Sequence, residues 1–476
     1  MERRATKFVM YSGLRTIGGV VASLEYGGDR VVFEFGAAYE PKTDIYDRHV
    51  EKRRKNWVRD QLRLGVLPRI GGIYRREDLG DSELISAEES GFNTAVFITH
   101  LHLDHMASIG AVAPQIPVYM HKNAQIIERA LEATGEGVDT VEREYSDLVP
   151  GRAVRVGQIE LLPLLSNDES YMDFAFFITT PDGTLYYTGD LALHGCNAPL
   201  VFRQMERIRD LKADVLMCDC TSFMDDIMRM MYGSGDAVIH PSPDVPAGML
   251  GEGAYYERLF ASLKDRAGLW VFNYYQREMA DARRFMDWAA ALGRACVFEP
   301  DAAYIVYKFF GVQPNVYVPD SKRYDPAPAW FLELAGHCAF VTAGDIKTRP
   351  GGYMLQNSYR HILELFDLPA AGGVYIHADG MPLGPFDPAW ANMRQLVDRA
   401  GFDYVSFLSD HYFGHGYPCQ VKYFVDQINP KVLIPCHSYN PERLLPKDGV
   451  QLLPEPYRTY ILRDHTLSPE DERSAP

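Results

Sequence analysis

The sequence predicts an α/β protein: an α/β sandwich carrying a second, inserted α/β unit. Three observations support this class. The 476 residues are too many for one ordinary core and imply two or three domains. Short apolar runs punctuated by Gly, Asp and Pro alternate with stretches of helical period. Near Asp226 the pattern shifts, across a Gly- and Pro-rich segment, to repeated strand–helix–strand units. Hydrophobic residues make up 47% and aromatics 12% of the chain, which excludes disordered and fibrous classes.

In chain order, Val31–Phe35, Thr94–Ile98, Ile159–Pro163, Phe174–Thr179, Leu185–Thr188 and Val215–Cys218 read as strands, with Pro181-Asp182-Gly183 as a turn. Apolar spacing marks a helix over Asn123–Thr134. Gly233–Gly253 reads as a long loop. Beyond it come a strand at Leu269–Asn273, a helix at Glu278–Leu292 stopped by Gly293, and a strand at Ala295–Phe298. A second such unit runs through Tyr304–Phe310, Phe340–Thr342 and Ser358–Phe366. Strands at Val374–His377, Tyr404–Leu408 and Val432–Pro435 then alternate with helices at Pro388–Ala400 and Gln420–Ile428. That alternation implies parallel pairing back on the first domain. The expected division is 1–224 for the first part of one domain, 225–372 for an inserted domain, and 373–476 for the remainder of the first. The tail after Tyr460, ending in Pro469-Glu470-Asp471-Glu472-Arg473, reads as frayed.

The balance of 48 basic against 64 acidic residues leaves a net charge of −16 and a pI near 5.4. Such a surface repels nucleic acid in general, so action on one needs a locally basic or metal-lined groove. No apolar run approaches the ~20 residues of a membrane-spanning helix, and the first eight residues lead into no signal segment. No membrane association is expected. The 7 cysteines, odd in number and mostly among apolar neighbours, fit buried thiols in a reducing cytoplasm. Cys218-x-Cys220 lacks the spacing of a zinc knuckle.

Thr99-His100-Leu101-His102-Leu103-Asp104-His105 carries the chemistry. It follows an apolar strand, so its side chains sit at a strand end and in the loop beyond. His100 and His102, two apart in extended chain, point the same way and can share one ligand. Asp104 and His105 come after the strand breaks and can turn toward a second point nearby. Imidazole nitrogens and carboxylate oxygens suit zinc and similar ions. A lone histidine is usually structural; this cluster at the mouth of a buried strand points to metal binding.

The H-x-H-x-D-H signature resembles the metallo-β-lactamase fold, whose members carry one or two metal ions between two β-sheets. The resemblance implies that Asp190, in Tyr187-Thr188-Gly189-Asp190, is the aspartate bridging the two ions. It likewise implies that His437, in Ile434-Pro435-Cys436-His437, is the last histidine ligand. The family's third histidine has no counterpart in Ser166–Tyr171, where Asp168 lies closest and takes the ligand role. The implied metal set is His100, His102, Asp104, His105, Asp168, Asp190 and His437 around two divalent ions, zinc first and manganese as the alternative. Three carboxylates against about +4 of cation charge leave roughly +1, where a third histidine would leave roughly +2. An oxygen-rich first site moves preference toward manganese or iron.

Further motifs narrow the resemblance. Cys218-Asp219-Cys220-Thr221 ends an apolar strand, Ser409-Asp410-His411-Tyr412-Phe413-Gly414-His415-Gly416 lies far downstream, and His437 follows. This trio resembles the acid and histidine motifs of the β-CASP branch, in which a second α/β domain is inserted between the first two. Gly18-Gly19, Phe33-Glu34-Phe35-Gly36, Gly293-Arg294, Tyr353-Met354-Leu355-Gln356 and His377-Ala378-Asp379-Gly380 are similar to the bacterial ribonuclease J-like group. The resemblance implies a cytoplasmic ribonuclease, a homodimer by analogy, cleaving RNA or another phosphodiester substrate with a metal-activated hydroxide. Asp104, Asp190, Asp219 and His415 are then the catalytic set. His415, oriented by Asp219, protonates the leaving group or holds a phosphate oxygen, and His411, Phe413 and Gly414 line the substrate site with it. Where the group shows Ser-Gly-His-Ala, Phe413 removes a phosphate-binding hydroxyl and adds a ring able to stack on a nucleobase.

Two other readings stay open. One is a two-metal hydrolase of a small-molecule ester or nucleotide, favoured by Phe413 and the acidic charge. The other is a catalytically weakened subunit that binds nucleic acid or a partner, favoured by Asp168. Lys52-Arg53-Arg54-Lys55 with Arg59 and Arg63 lie along one helix, as a guide for an anionic strand or as a solvated face. Tyr274, Tyr275, Arg283 and Arg284 are candidates for a cleft in the inserted unit, with core packing as the alternative for the tyrosines.

Overall fold

The computed structural model describes residues 4–40, 50–138, 143–166, 173–195, 197–320, 322, 324–406 and 412–470. Among these, the strands form three sheets of eight, seven and six members. The first runs Thr466–Pro469, Thr459–Arg463, Thr6–Ser12, Val21–Tyr26, Asp29–Phe33, Asn93–Phe97, Val118–His121, Tyr145–Leu148. The second runs Val450–Gln451, Val432–Cys436, Val215–Asp219, Gly183–Tyr187, Phe174–Thr180, Ile159–Leu165, Val154–Val156.

These two sheets face each other, and the period of the strands shows why. In Phe174–Thr180 the residues Phe174, Phe176 and Ile178 meet Phe8, Phe33 and Phe97 of the first sheet in one apolar cluster. The intervening Ala175 and Phe177 pack under helices Ala198–Leu211 and Pro418–Ile428, through Val201, Met205, Val421 and Phe424. Strands buried on both faces read as continuous apolar runs, and the result is an αβ/βα sandwich. On the outer face of the first sheet, Val32, Val96 and Val118 pack against helices Trp57–Leu64 and Lys122–Thr134.

Within each sheet a block of strands is parallel: Asp29–Phe33 through Tyr145–Leu148 in the first, Val450–Gln451 through Gly183–Tyr187 in the second. Parallel neighbours end at the same edge. The residues that follow them are therefore gathered there, and this is what assembles the site.

The third sheet is wholly parallel, in the order Asn315–Val316, Ala295–Phe298, Tyr353–Gln356, Trp270–Asn273, Val374–His377, Asp403–Ser406. Here the chain departs from the sequence reading. Val374–His377 and Asp403–Ser406, assigned above to the returning first domain, pair with Trp270–Asn273 and with each other. The polypeptide returns to the second sheet only at Val432–Cys436, beyond helix Pro418–Ile428. Tyr304–Phe310 is the second half of helix Pro300–Phe310, and Tyr359–Asp367 is a 3₁₀ helix; the strand between them is Tyr353–Gln356. Pro300 at the first turn and burial among Ala302, Ile305 and Trp330 override the β-propensity of that aromatic run. The tail is ordered through residue 470. Tyr460 and Leu462 enter the sandwich core while their strand pairs with Thr6–Ser12, and Thr466–Pro469 completes the edge.

Among the described residues no helix is long and apolar enough to cross a membrane. At the carboxyl edge of the third sheet, burial pushes the Glu299 carboxyl up to about 8, against donors from Ser358 and Asn357. A proton held more tightly by the folded than the unfolded chain stabilises fully below the ordinary value of 4.5 and is lost as pH rises toward 8. Stability should thus decline by on the order of 1 kcal/mol per pH unit across that window. Glu299→Gln should flatten the decline, as read from urea midpoints near each end; an unchanged slope contradicts the assignment.

Candidate metal centre and active site

The site is built at the shared strand edge. Thr99–His102 leave strand Asn93–Phe97, and Asp104 and His105 sit on the short helix Leu103–Met106. Asp190 follows strand Gly183–Tyr187, Asp219 ends strand Val215–Asp219, and His437 follows strand Val432–Cys436. His415 lies on the loop before helix Pro418–Ile428, held where Gly416 N–H donates to the Leu191 carbonyl at 2.6 Å.

Four imidazoles converge on the Asp190 carboxylate. His105 Nε2 lies 3.1 Å from Oδ1 and His437 Nε2 3.6 Å from it, while His100 Nε2 and His415 Nε2 lie 3.7 and 3.9 Å from Oδ2. His437 Nε2 also stands 3.1 Å from Asp104 Oδ2 and 3.3 Å from His105 Nε2. Asp190 Oδ1 is buried and accepts no well-directed hydrogen bond. Two groups of donor atoms, His100/His102/Asp190 and Asp104/His105/His437, each lie within 4.8 Å of one another. Imidazole nitrogens and carboxylate oxygens gathered at such spacing fit divalent cations of the zinc type.

The opposite nitrogen of three of these rings is hydrogen-bonded to the protein, and that of His105 faces a carboxylate. Glu34, completely buried after strand Asp29–Phe33, accepts from the Thr99 hydroxyl, which lies 2.9 Å from His100 Nδ1. The same carboxylate is 3.5 Å from His105 Nδ1. Across the sandwich, Asp219 Oδ2 takes His415 Nδ1–H at 2.8 Å, and Asp219 Oδ1 accepts from Thr221, whose hydroxyl takes His437 Nδ1–H at 2.7 Å. Each sheet thus contributes one carboxylate–threonine pair that orients two imidazoles, and orientation of this kind sets ligand tautomer and basicity. A third group, Asp190/Asp219/His415, also has donor spacing. The Asp219 carboxylate, however, already accepts from Leu191 N, Thr221 N, Thr221 Oγ1 and His415, so it positions rather than ligates.

Electrostatics agree with a cation cage. Burial alone would raise Asp190, yet His105, His437 and His415 hold it well below the usual carboxylate range. Burial likewise opposes charge on His105 and His437, but Asp190 and Asp104 lift both above the ordinary histidine value. His100, buried beside His105 and His102, falls well below it.

Two glycines shape the Asp104 turn. A Cβ on Gly36 would lie 1.7 Å from the Asp104 carbonyl oxygen, and one on Gly18 (φ +64°) would lie 2.2 Å from the Asp104 side chain. Backbone cannot give way as a flexible side chain can, so Gly36→Ala should displace Asp104 at a cost of about 1–3 kcal/mol. The expected result is at least tenfold weaker metal binding by competition titration; wild-type affinity would contradict this packing.

Asp168 and His411 lie outside the described residues. Phe413 and Gly414 stand at the mouth, with the Phe413 ring 5.6 Å from that of His415, and a Cβ on Gly414 would meet no atom within 4 Å. Tyr274 is core, while the Tyr275 ring lies 5.5 Å from His102. Arg284 is bound to Asp281 and Glu252, and Arg283 pairs with Asp287. The basic run does not lie along one helix: Lys52 and Arg53 precede the 3₁₀ turn Arg54–Asn56, and only Arg59 and Arg63 are on helix Trp57–Leu64; Arg53 pairs with Asp60 and Arg63 with Asp81. Sequence reasoning missed Glu34, Thr99, Thr221 and Glu278 as site residues; an acid between two buried phenylalanines at Phe33-Glu34-Phe35 was the available signal.

Residues 91–250 match the Beta-lactamase superfamily domain. A UPF0173 metal-dependent hydrolase of Pyrobaculum aerophilum is 30% identical over 123 residues, 25% of this chain and 48% of that protein. Its counterpart in Pyrobaculum neutrophilum is 29% identical over 126 residues, with the same shares. The chain thus spans about half the length of the curated relatives it matches. The crystal structure of a protein of unknown function from Enterococcus faecalis V583 superposes with a TM-score of 0.75 at 24% identity, covering 96% of this chain and all of that one. The match over residues 91–250 and the two facing mixed sheets are consistent with a metallo-β-lactamase fold.

Proposed function

We propose that this protein is a metal-dependent hydrolase of phosphodiester bonds, and specifically a ribonuclease of the β-CASP type. The observation that carries the reading is the convergence of four imidazole Nε2 atoms on Asp190, one of them on a ring held by Asp219 at the exposed side of the cluster. His100, His102 and Asp190, with Asp168 as a further donor, would hold one divalent ion; Asp104, His105 and His437 would hold the second, with Asp190 shared. Zinc or manganese bound there supplies an acidified water and offsets charge growing on the phosphoryl group.

The chain's own residues supply the rest. His415 is a quarter exposed, its Nε2 lies 3.9 Å from Asp190 Oδ2, and Asp219 fixes its Nδ1 proton, which suits proton donation to a leaving oxygen bound beside the cluster. Phe413 beside it offers a face on which a base can stack. The free, mostly buried cysteines Cys218, Cys220, Cys338, Cys419 and Cys436 support a reducing, cytoplasmic location. The third-sheet unit, in this reading, is the inserted β-CASP domain.

One observation favours a second reading, hydrolysis of a small ester or nucleotide. The carboxyls of Glu278, Asp281 and Asp379 gather on the wall beside His102, a lining that offers a polyanionic strand little attraction, and burial with Asp281 and Glu278 nearby pushes Asp379 up to about 7. End-labelled single-stranded RNA with manganese or zinc separates the two. Cleavage that vanishes in Asp104→Ala and His415→Ala is the expected result. Turnover of ester substrates with RNA left intact overturns the ribonuclease assignment.

A further inference from the structure

His102 breaks the pattern of the other imidazoles. His100, His105, His415 and His437 are tied through Nδ1 and turn Nε2 inward, whereas His102 Nε2 points outward to the Glu278 carboxylate. Glu278 belongs to neither sheet of the sandwich. It stands before helix Met279–Ala291, after the third-sheet strand Trp270–Asn273, and is almost fully buried.

The segment leading to it is anchored on the metal loop. Arg277 forms a buried ion pair with Glu128 at 2.7 Å and donates to the Leu101 carbonyl, between His100 and His102, at 3.4 Å. Tyr275 packs its ring against that of His102. Contacts from Tyr275, Arg277 and Glu278 therefore bring one carboxylate of the third-sheet unit onto one imidazole of the sandwich.

We propose that Glu278 is a positioning residue for the metal centre: by accepting the Nε2 proton of His102 it fixes that ring and leaves Nδ1 as the donor atom. The assignment rests on the metal-site reading above. Each sheet then supplies one carboxylate that orients site imidazoles: Glu34 from the first, Asp219 from the second and Glu278 from the third. The inserted unit becomes part of the metal centre and not only a wall of the cleft. Glu278 stands near the buried carboxyls of Asp281 and Asp379, with Arg284 bound to Asp281.

The test is the zinc dissociation constant, by chelator competition, of the full-length wild type, Glu278→Gln and Glu278→Ala, with the visible spectrum of the cobalt-substituted proteins alongside. Loss of a carboxylate that orients a ligand histidine costs roughly 10–100-fold in affinity. Glu278→Ala should weaken zinc by that factor and alter the cobalt spectrum. Glu278→Gln, which retains an acceptor oxygen, should fall between. The unfolding temperature of the metal-free variants reads separately what the His102–Glu278 contact contributes to the fold. Wild-type zinc affinity and an unchanged spectrum in Glu278→Gln overturn the proposal while leaving the metal site intact. A lower unfolding temperature with unchanged zinc affinity assigns Glu278 a structural role and overturns it equally. A wild type that binds no divalent ion overturns the metal-site reading and this inference together.

Discussion

Asp190→Asn should strip the protein of bound metal and lower hydrolysis at least ~10³-fold, equivalent to about 4 kcal/mol of transition-state stabilisation. The substitution is nearly isosteric, so it tests charge and not packing. Among the described residues Asp190 is the one carboxylate within 4 Å of four imidazole Nε2 atoms. An amide there would offer hydrogens to nitrogens that must stay open for a cation. Two consequences separate this from general damage. With the Asp190 charge gone, His105 and His437 should move back toward the ordinary histidine value, because that carboxylate is the main force lifting them. The metal-free variant should also be less stable than the wild type only at pH values where those imidazoles are protonated, because the buried carboxylate offsets their charge. Metal analysis, turnover and thermal unfolding on one preparation decide the matter; a variant that retains its metal contradicts the geometry.

His415→Ala should behave differently. Its Nε2 is the most distant of the four from Asp190, and its ring is partly exposed at the mouth. Turnover should fall by about 10²–10⁴, the usual range for losing a positioned acid–base group, while metal content stays at the wild-type level. Asp219→Asn should combine both kinds of effect. The Asp219 carboxylate accepts four hydrogen bonds, from Leu191, Thr221 twice and His415. Replacing it leaves buried donors facing an amide, at about 1–3 kcal/mol of stability, and also loosens His437 through Thr221. If His415→Ala lost metal as readily as Asp190→Asn, His415 would be a ligand and its assignment as proton donor would fail.

The parts of the site legible in the sequence were those written in consecutive residues or at strand ends. His100, His102, Asp104 and His105 announce themselves because alternation in an extended strand end and a break into a turn are local properties. Asp190, Asp219, His415 and His437 needed the resemblance, since no local rule says that four distant strand ends share one edge. Glu34, Thr99, Thr221 and Glu278 act through the far nitrogen of an imidazole, and only the relative register of three sheets reveals those contacts. The same limit explains the strand Val374–His377. Its local pattern is identical whichever sheet it joins, and the choice depends on Trp270–Asn273, a hundred residues earlier in the chain. Likewise the tail beyond Tyr460 has few apolar residues, but Tyr460 and Leu462 suffice once Thr6–Ser12 offers an open edge.

The most direct test of the central claim is the number of zinc or manganese ions retained per chain after dialysis against metal-free buffer. The account predicts tightly held divalent metal in the wild type and its loss in Asp190→Asn, with both proteins folded. A folded wild type that retains none, even after incubation with excess zinc and manganese, would contradict it.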